Sequence, residues 1–502
     1  MTRFPDAAYF IVASRLRPGL DGGYTVSAMR RALDFERHGG VVPTILTVEF
    51  APDVDALREE FIELGLATPR TVMRNLYADL RADPQPLRAF ARELGVAGPR
   101  VPEPEQDRFS EEFSTDSGGK AWKIVVKSHP DDETLFTDYL DADGRRLLRL
   151  PYISGRADWH RADIAIDVFD DDEKIIGQLD GFGALYRFWV ESVVATSGSS
   201  RNIVVCEAKQ VGELLAIGPR SYLLVHTVHN AHTLPPFAWD SPMDELWSGW
   251  FDRIDEMDAV VWLTDAQRAD AVRRFGEHPR WVVVPHPVET IARGDNGSEA
   301  SARDSSRVVM LARLVEQKRV EDAIETWPAL LERVPAAKLD IFGDGPSRAA
   351  LATRVAELDL ADSVVLHGHT PDAAGRLDTA AALLLTSRHE GQPLVILEAM
   401  ARGCPVVAYD VHYGPADMIE DGRTGFLVEA GDRDALADAL AAVLGDPDRI
   451  AAMSAAALEW ARAHGPEVSM AIMADLFTDL LGTTPGNEVV LTEAPVGASK
   501  TT

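Results

Sequence analysis

The chain has 502 residues, too many for one ordinary core, so two or three domains are expected. Its 46% apolar residues can fill globular cores, and its 26% charged residues exclude a chain disordered throughout. A formal net charge of −30 excludes nucleic acid or an anionic lipid surface as a general partner, but not a small anion held locally by a few arginines.

In chain order, the apolar run Ala8–Ser14 predicts a strand. A glycine-rich loop, a helical stretch over Tyr24–His38 and a second strand over Val41–Val48 follow it, which is the opening of a parallel α/β unit. Helical patterns run over Val54–Leu64, Arg70–Leu80 and Pro86–Leu94. Residues Val101–Gly119 are rich in Pro, Glu, Asp, Ser and Gly and read as a linker or exposed loop. From Trp122 to Val194 short alternating segments predict an antiparallel β insertion.

The α/β pattern resumes at Asn202–Cys206, Tyr222–Val225, Ala259–Leu263 and Trp281–Pro285. A polar run, Arg293–Ser306, reads as an interdomain linker, and a second α/β series begins at Val308. The expected boundaries are a first Rossmann-like domain over 1–100 and 197–292, interrupted by a β-rich insertion over 101–196. A second Rossmann-like domain over 293–465, a C-terminal helix over 466–482 and a disordered tail over 483–502 complete the chain. The fold class is α/β, two doubly wound domains facing a cleft. The two cysteines, Cys206 and Cys404, each sit beside an apolar run and read as core residues of a reducing compartment. MTRFPDAAYF has no basic segment ahead of an apolar one, and no run reaches the ~18 apolar residues of a membrane helix. A cytoplasmic protein is therefore expected, without membrane insertion but able to lie at the inner face of a membrane.

In such folds ligands bind where strand C-termini meet helix N-termini. After the strand Val308–Leu311 come Arg313 and Lys318, two cations able to clamp a diphosphate, although solvated loop cations would look the same. After Lys338–Phe342 comes Gly343-Asp-Gly-Pro346, where glycine admits a ligand or simply makes a turn. The stretch SRHEGQPLVILEAMARG sets Glu390 and Gly391 ahead of a helix start at Leu394 and Glu398 one turn inside it. The free amides of Leu394 and Val395 favour an anion, and each carboxylate suits a sugar diol. In the first half, Gly22 and Gly23 can bring backbone amides to the same phosphates. His226 and His229 follow the strand YLLV, and either can face the cleft.

These motifs, with Ala399-Met-Ala-Arg-Gly-Cys-Pro-Val-Val407, resemble the retaining glycosyltransferases of family 4, which have the GT-B fold. Asp410–Ile419 and Asp421–Leu427 resemble a narrower branch, together with Gly22-Gly-Tyr-Thr25 and the strand-end His-x-x-His. That branch holds the poly(glycerol-phosphate) and poly(ribitol-phosphate) α-glycosyltransferases and the accessory-secretion glycosyltransferases. The resemblance implies metal-independent transfer of glucose or N-acetylglucosamine from a UDP-sugar co-substrate to a polymer or protein acceptor, with no other cofactor. It implies that Arg313 and Lys318 hold the diphosphate, Glu398 the ribose and Glu390 the transferred sugar. Backbone near His369 would meet the base, and His226 or His229 the sugar or acceptor. Gln392-Pro393 replaces the Phe-Gly common in the family and removes one possible phosphate donor. Other readings are a lipid-linked or Ser/Thr acceptor, a non-catalytic sugar-nucleotide-binding subunit, and an epimerase of related shape. Edge strands of the insertion can support a homo-oligomer.

Overall fold

The protein is described by a computed structural model covering residues 3–18, 23–98, 109–116, 118–129, 131–153, 158–289, 303–370, 372 and 374–483. The first lobe opens with β1 (Ala8–Ala13), β2 (Thr44–Thr47) and β3 (Val72–Asn75). The insertion contributes β4 (Phe109–Thr115), β5 (Ala121–Ser128), β6 (Thr134–Leu140), β7 (Arg146–Pro151), β8 (Ala165–Phe169) and β9 (Ile175–Asp180). The first lobe resumes with β10 (Asn202–Cys206), β11 (Leu223–Val228), β12 (Ala259–Trp262) and β13 (Trp281–Val283). The second lobe holds β14 (Asp304–Leu311), β15 (Lys338–Phe342), β16 (Val364–Gly368), β17 (Ala380–Leu385), β18 (Val406–Asp410) and β19 (Gly425–Glu429).

The two lobe sheets are parallel, in the orders β13-β12-β11-β10-β1-β2-β3 and β16-β15-β14-β17-β18-β19. In both, the first strand lies inside the sheet and the order reverses beside it, which opens a crevice at the strand C-termini. Near-continuous apolar strands such as NIVVC and AAALLL are buried on both faces, as a helix-covered parallel sheet requires. The insertion is an antiparallel meander, β4 to β9 in sequence order.

Four elements differ from the sequence expectation. Arg70–Leu80 is not one helix: β3 comes first, and Asn75 then caps the helix Leu76–Ala82 by accepting from the amides of Tyr77 and Ala78. The stretch read as a linker contains β4, an exposed edge strand whose polar sequence FSEEFST carries no buried face to betray it. The insertion's last segment is the helix Gly181–Ala195, buried through Leu185, Tyr186, Trp189, Val190, Val193 and Val194. The polar run expected as a linker is partly strand, since β14 starts at Asp304, while 290–302 lie outside the described residues, as does the tail beyond Thr483.

The insertion does not stand apart. Leu147, Leu148, Leu150, Ile166, Val168 and Leu179 share one core with Val204, Leu224 and Val260 of the first lobe. Fully burying each such side chain stabilises by about 1.5–3 kcal/mol. Arg88, from the helix Gln85–Leu94, crosses into the insertion to reach the Phe169 carbonyl at 2.9 Å and the Asp141 carboxylate at 3.0 Å. The helix Pro466–Thr483 returns to the first lobe, where Phe477 packs on Phe4, Tyr9 and Phe35.

Candidate functional site between the lobes

The crevice is built from strand ends. In the second lobe, β14 runs into the loop that carries Arg313 and Lys318. The Thr386 hydroxyl, one residue past β17, donates to the carbonyls of Lys318 and Arg319, both at 3.0 Å, and so pins that loop. Lys318 places its ammonium 2.5 Å from the Glu390 carboxylate. Glu390 is itself fixed: its amide donates to the His412 carbonyl, and its carbonyl accepts from Tyr413, both at 2.9 Å. Arg313 is exposed, and its guanidinium takes no partner among the described residues.

The helix Leu394–Ala401 begins four residues after Glu390, behind Pro393. Pro393 gives the helix no side-chain cap. The Ile396 amide donates back to Pro393, but the amides of Leu394 and Val395 donate to nothing among the described residues. The helix Gly23–Asp34 of the first lobe starts against this same point, since a Cβ on Gly23 would lie 3.6 Å from Leu394 Cδ1. Two helix N-termini therefore approach one place from opposite lobes, an arrangement that favours an anion between them. Gly22 lies outside the described residues.

Glu398 faces the first lobe. Arg30 reaches it at 3.6 Å and also holds Glu289 at 3.1 Å. Burial raises the proton affinity of Glu398, and Arg30 opposes that rise. Gly391 lies tight against the first lobe: a Cβ there would fall 2.0 Å from the His229 carbonyl oxygen. The Gln392 side chain closes the same seam by accepting from the His286 amide at 2.6 Å.

On the first-lobe wall, His229 follows β11 and sets Nε2 2.5 Å from Glu207, which follows β10. Arg31 approaches the other oxygen of Glu207 at 2.7 Å, without the alignment of a hydrogen bond. Burial would push the Glu207 carboxyl up. The Arg31 charge, the His229 hydrogen bond and the nearby histidines outweigh it and hold the group down at about 2. Glu207 engages Nε2, so Nδ1 is the ring nitrogen left to meet a ligand. Nδ1 takes no partner among the described residues. Tyr24 and His286 fix the ring from two sides, edge-on at 5.8 Å and stacked at 5.6 Å. Burial, then the charge of His229, holds His286 well below the usual imidazole range, so its ring is neutral.

Two sequence readings change. His226 does not belong to the cleft. It lies three residues before His229 and so on the opposite face of the strand, fully buried against Trp250 at 5.0 Å and against Gly212. Neither ring nitrogen has a partner among the described residues, and burial pushes its proton affinity down to about 3. Gly343 is explained by backbone packing: at φ +135° its Cβ would lie 1.9 Å from the Ala312 carbonyl, so the glycine lets β15 run against the loop carrying Arg313. His369 stands exposed one residue past β16.

The sequence reading missed Glu207, Arg31, Arg30 and His286. Glu207 had a signal, an acid directly after an apolar strand, the same pattern that singled out Glu390. Arg30 and Arg31 had none, because consecutive arginines on a helix normally read as a solvated face.

Comparison with known proteins follows this geometry. A family model described as "Glycosyl transferases group 1" matches residues 295–460. The chain is 33% identical over 231 residues to "Exopolysaccharide phosphotransferase SCO2592" of Streptomyces coelicolor, covering 46% of this chain and 24% of that protein. It is 24% identical over 292 residues to the poly(glycerol-phosphate) alpha-glucosyltransferase of Bacillus subtilis, covering 57% of this chain and 41% of the relative. The chain thus spans less than half the length of these curated relatives. Over 95% of the chain, the fold superposes on all of S. aureus TarM, solved with Fondaparinux, alpha-GlcNAc-glycerol and UDP, with a TM-score of 0.70 at 18% identity. That likeness shows the GT-B fold and, at this identity, the fold alone.

Proposed function

We propose, from the match of residues 295–460 to the glycosyl transferases group 1 family model, that the protein is a retaining, metal-independent hexosyltransferase. It moves glucose or N-acetylglucosamine from a UDP-sugar to a hydroxyl of a polyol-phosphate polymer, forming an α-glycosidic bond. One observation carries this reading: Lys318 and Glu390 stand 2.5 Å apart, four residues ahead of the uncapped helix start at Leu394, and Gly391 sets that corner against His229.

The diphosphate lies at the amides of Leu394 and Val395, with Arg313 and Lys318 supplying positive charge. Lys318 divides its ammonium between the phosphate and Glu390, which orients Glu390 toward the hydroxyls of the transferred sugar. Glu398 accepts from the ribose diol in place of its long contact with Arg30. His229 Nδ1 hydrogen-bonds a hydroxyl of the sugar or acceptor. The bond between the anomeric carbon and the phosphate oxygen breaks as the acceptor oxygen attacks the same face. The acceptor proton passes to the leaving β-phosphate, releasing UDP. Catalysis is stabilisation of leaving-group charge together with positioning.

Support for the acceptor comes from the Bacillus relative, named for poly(glycerol-phosphate), and from the ligands held by TarM. No described helix is long and apolar enough to cross a membrane, and we place the reaction in the cytoplasm or at its membrane face. The test supplies UDP-sugars labelled in the sugar or in the β-phosphate, with a glycerol-phosphate oligomer as acceptor. Sugar label in the product supports the reading. Phosphate label there replaces it with phosphotransfer, and release of free sugar alone leaves a hydrolase.

A further inference from the structure

A second cavity, about 370 Å³, opens where the loops after β1 and β2 meet, at the C-terminal edge of the first-lobe sheet. Arg15, Arg17, Glu49 and Phe50 line it. The insertion reaches this edge. Lys123 of β5 stands opposite Tyr139 of β6 and lays its ammonium over the Phe50 ring, 4.8 Å from the centroid. Tyr139 packs on the same ring at 5.6 Å.

The charges do not balance around Lys123. It is half-buried, and no described carboxylate pairs with it. Burial lowers its proton affinity, and another cation, Arg17, adds to that lowering. Glu49 is turned to Arg15, at 3.7 Å. The cavity's other acids, Asp53 and Glu60, are exposed. A half-buried ammonium over an aromatic ring is costly without a counter-charge, and exposed Arg17, at the cavity lined by Phe50, is open to the same anion. A short run of contacts leads from beside the cavity to His229. The Ser14 amide, beside Arg15, donates to the Tyr24 hydroxyl at 3.2 Å, and Tyr24 packs edge-on against His229.

We propose that Lys123 and Arg17 form the phosphodiester-binding part of the acceptor site, holding a polyol-phosphate chain so that a neighbouring hydroxyl reaches His229. The inference rests on the transferase reading for its direction, and it gives the insertion a part in substrate recognition through one residue.

The test is equilibrium binding of a fluorescent glycerol-phosphate oligomer and of an uncharged oligosaccharide to the full chain, by anisotropy at two salt concentrations. Lys123→Ala and Arg17→Ala each weaken the phosphate oligomer by about tenfold. Lys123→Arg retains most of the affinity, and the salt dependence falls in both alanine variants. Equal affinity for the phosphate oligomer in wild type and both alanine variants overturns the proposal, as does an equal loss for the uncharged oligomer. Arg17 is exposed, so its variant keeps the test intact if Lys123→Ala disturbs the fold. Binding needs no turnover. A Lys123-dependent affinity without sugar transfer defeats the transferase reading alone, and sugar transfer with a Lys123-independent affinity defeats this proposal alone.

Discussion

Glu207→Gln is the most informative single substitution on the first-lobe wall. Glu207 is 2% exposed and Arg31 is 6% exposed, so the amide leaves a buried guanidinium without its counter-charge. Breaking a buried pair by removing one partner costs about 3–5 kcal/mol. The proton affinity gives an independent figure: displacement from 4.5 to about 2 corresponds to about 3 kcal/mol of stability. The folded value is depressed, so this stabilisation is fully present above the unfolded value near 4.5 and is lost as pH falls toward 2. Protonated Glu207 resembles the glutamine variant, so the two proteins converge in acid. Urea unfolding followed by tryptophan fluorescence should show a gap of about 3 kcal/mol at pH 6, shrinking to roughly half at pH 3. A gap that stays constant over that range, or no gap at pH 6, refutes the view that an ionised Glu207 anchors Arg31 and His229.

The other predictions concern the cleft. Lys318→Ala should lower kcat by an amount equivalent to about 2–4 kcal/mol of barrier while the melting temperature holds, and unchanged steady-state rates would count against the diphosphate clamp. His226→Leu should leave kcat and KM near wild type, because it removes a buried, unpartnered ring outside the cleft, whereas His229→Ala should lose most turnover; the reverse pattern would return His226 to the site. Gly391→Ala should force the His229–Asn230 backbone away from the second lobe and cut kcat sharply, and a crystal structure of the variant with an unmoved seam would contradict that contact. Deleting 101–196 should leave no folded first lobe by circular dichroism, since Leu148, Ile166 and Val168 share its core; a cooperatively folded remainder would show the insertion to be independent.

Much of the fold was legible because parallel strands buried on both faces read as unbroken apolar runs, and the helix start at Leu394 stands directly after Pro393. What hid was local. The break between β3 and its following helix rests on Asn75 acting as a cap inside a stretch with continuous helical spacing. β4, an edge strand, buries no residue on either face. Gly181–Ala195 is apolar on most sides because it is wedged between two sheets, so its period is blurred and its aromatic residues mimic strand. In the site, Glu390, Glu398 and Lys318 were visible as charges out of place beside apolar segments. His226 and His229 were equivalent in the sequence, and only the strand's alternation, once the end of β11 is fixed, sends one inward and the other to the cleft. Arg30 became a site residue by reaching Glu398 of the opposite lobe, and Arg31 by reaching Glu207 after β10, long-range facts with no local trace.

The central claim is that the corner made by Arg313, Lys318 and the amides of Leu394 and Val395 holds the diphosphate of the donor. Calorimetric titration of UDP into the wild type, Arg313→Ala and Lys318→Ala tests it most directly. One UDP should bind per chain, weakened at least about tenfold in each variant. Undiminished UDP affinity in both variants would contradict the account.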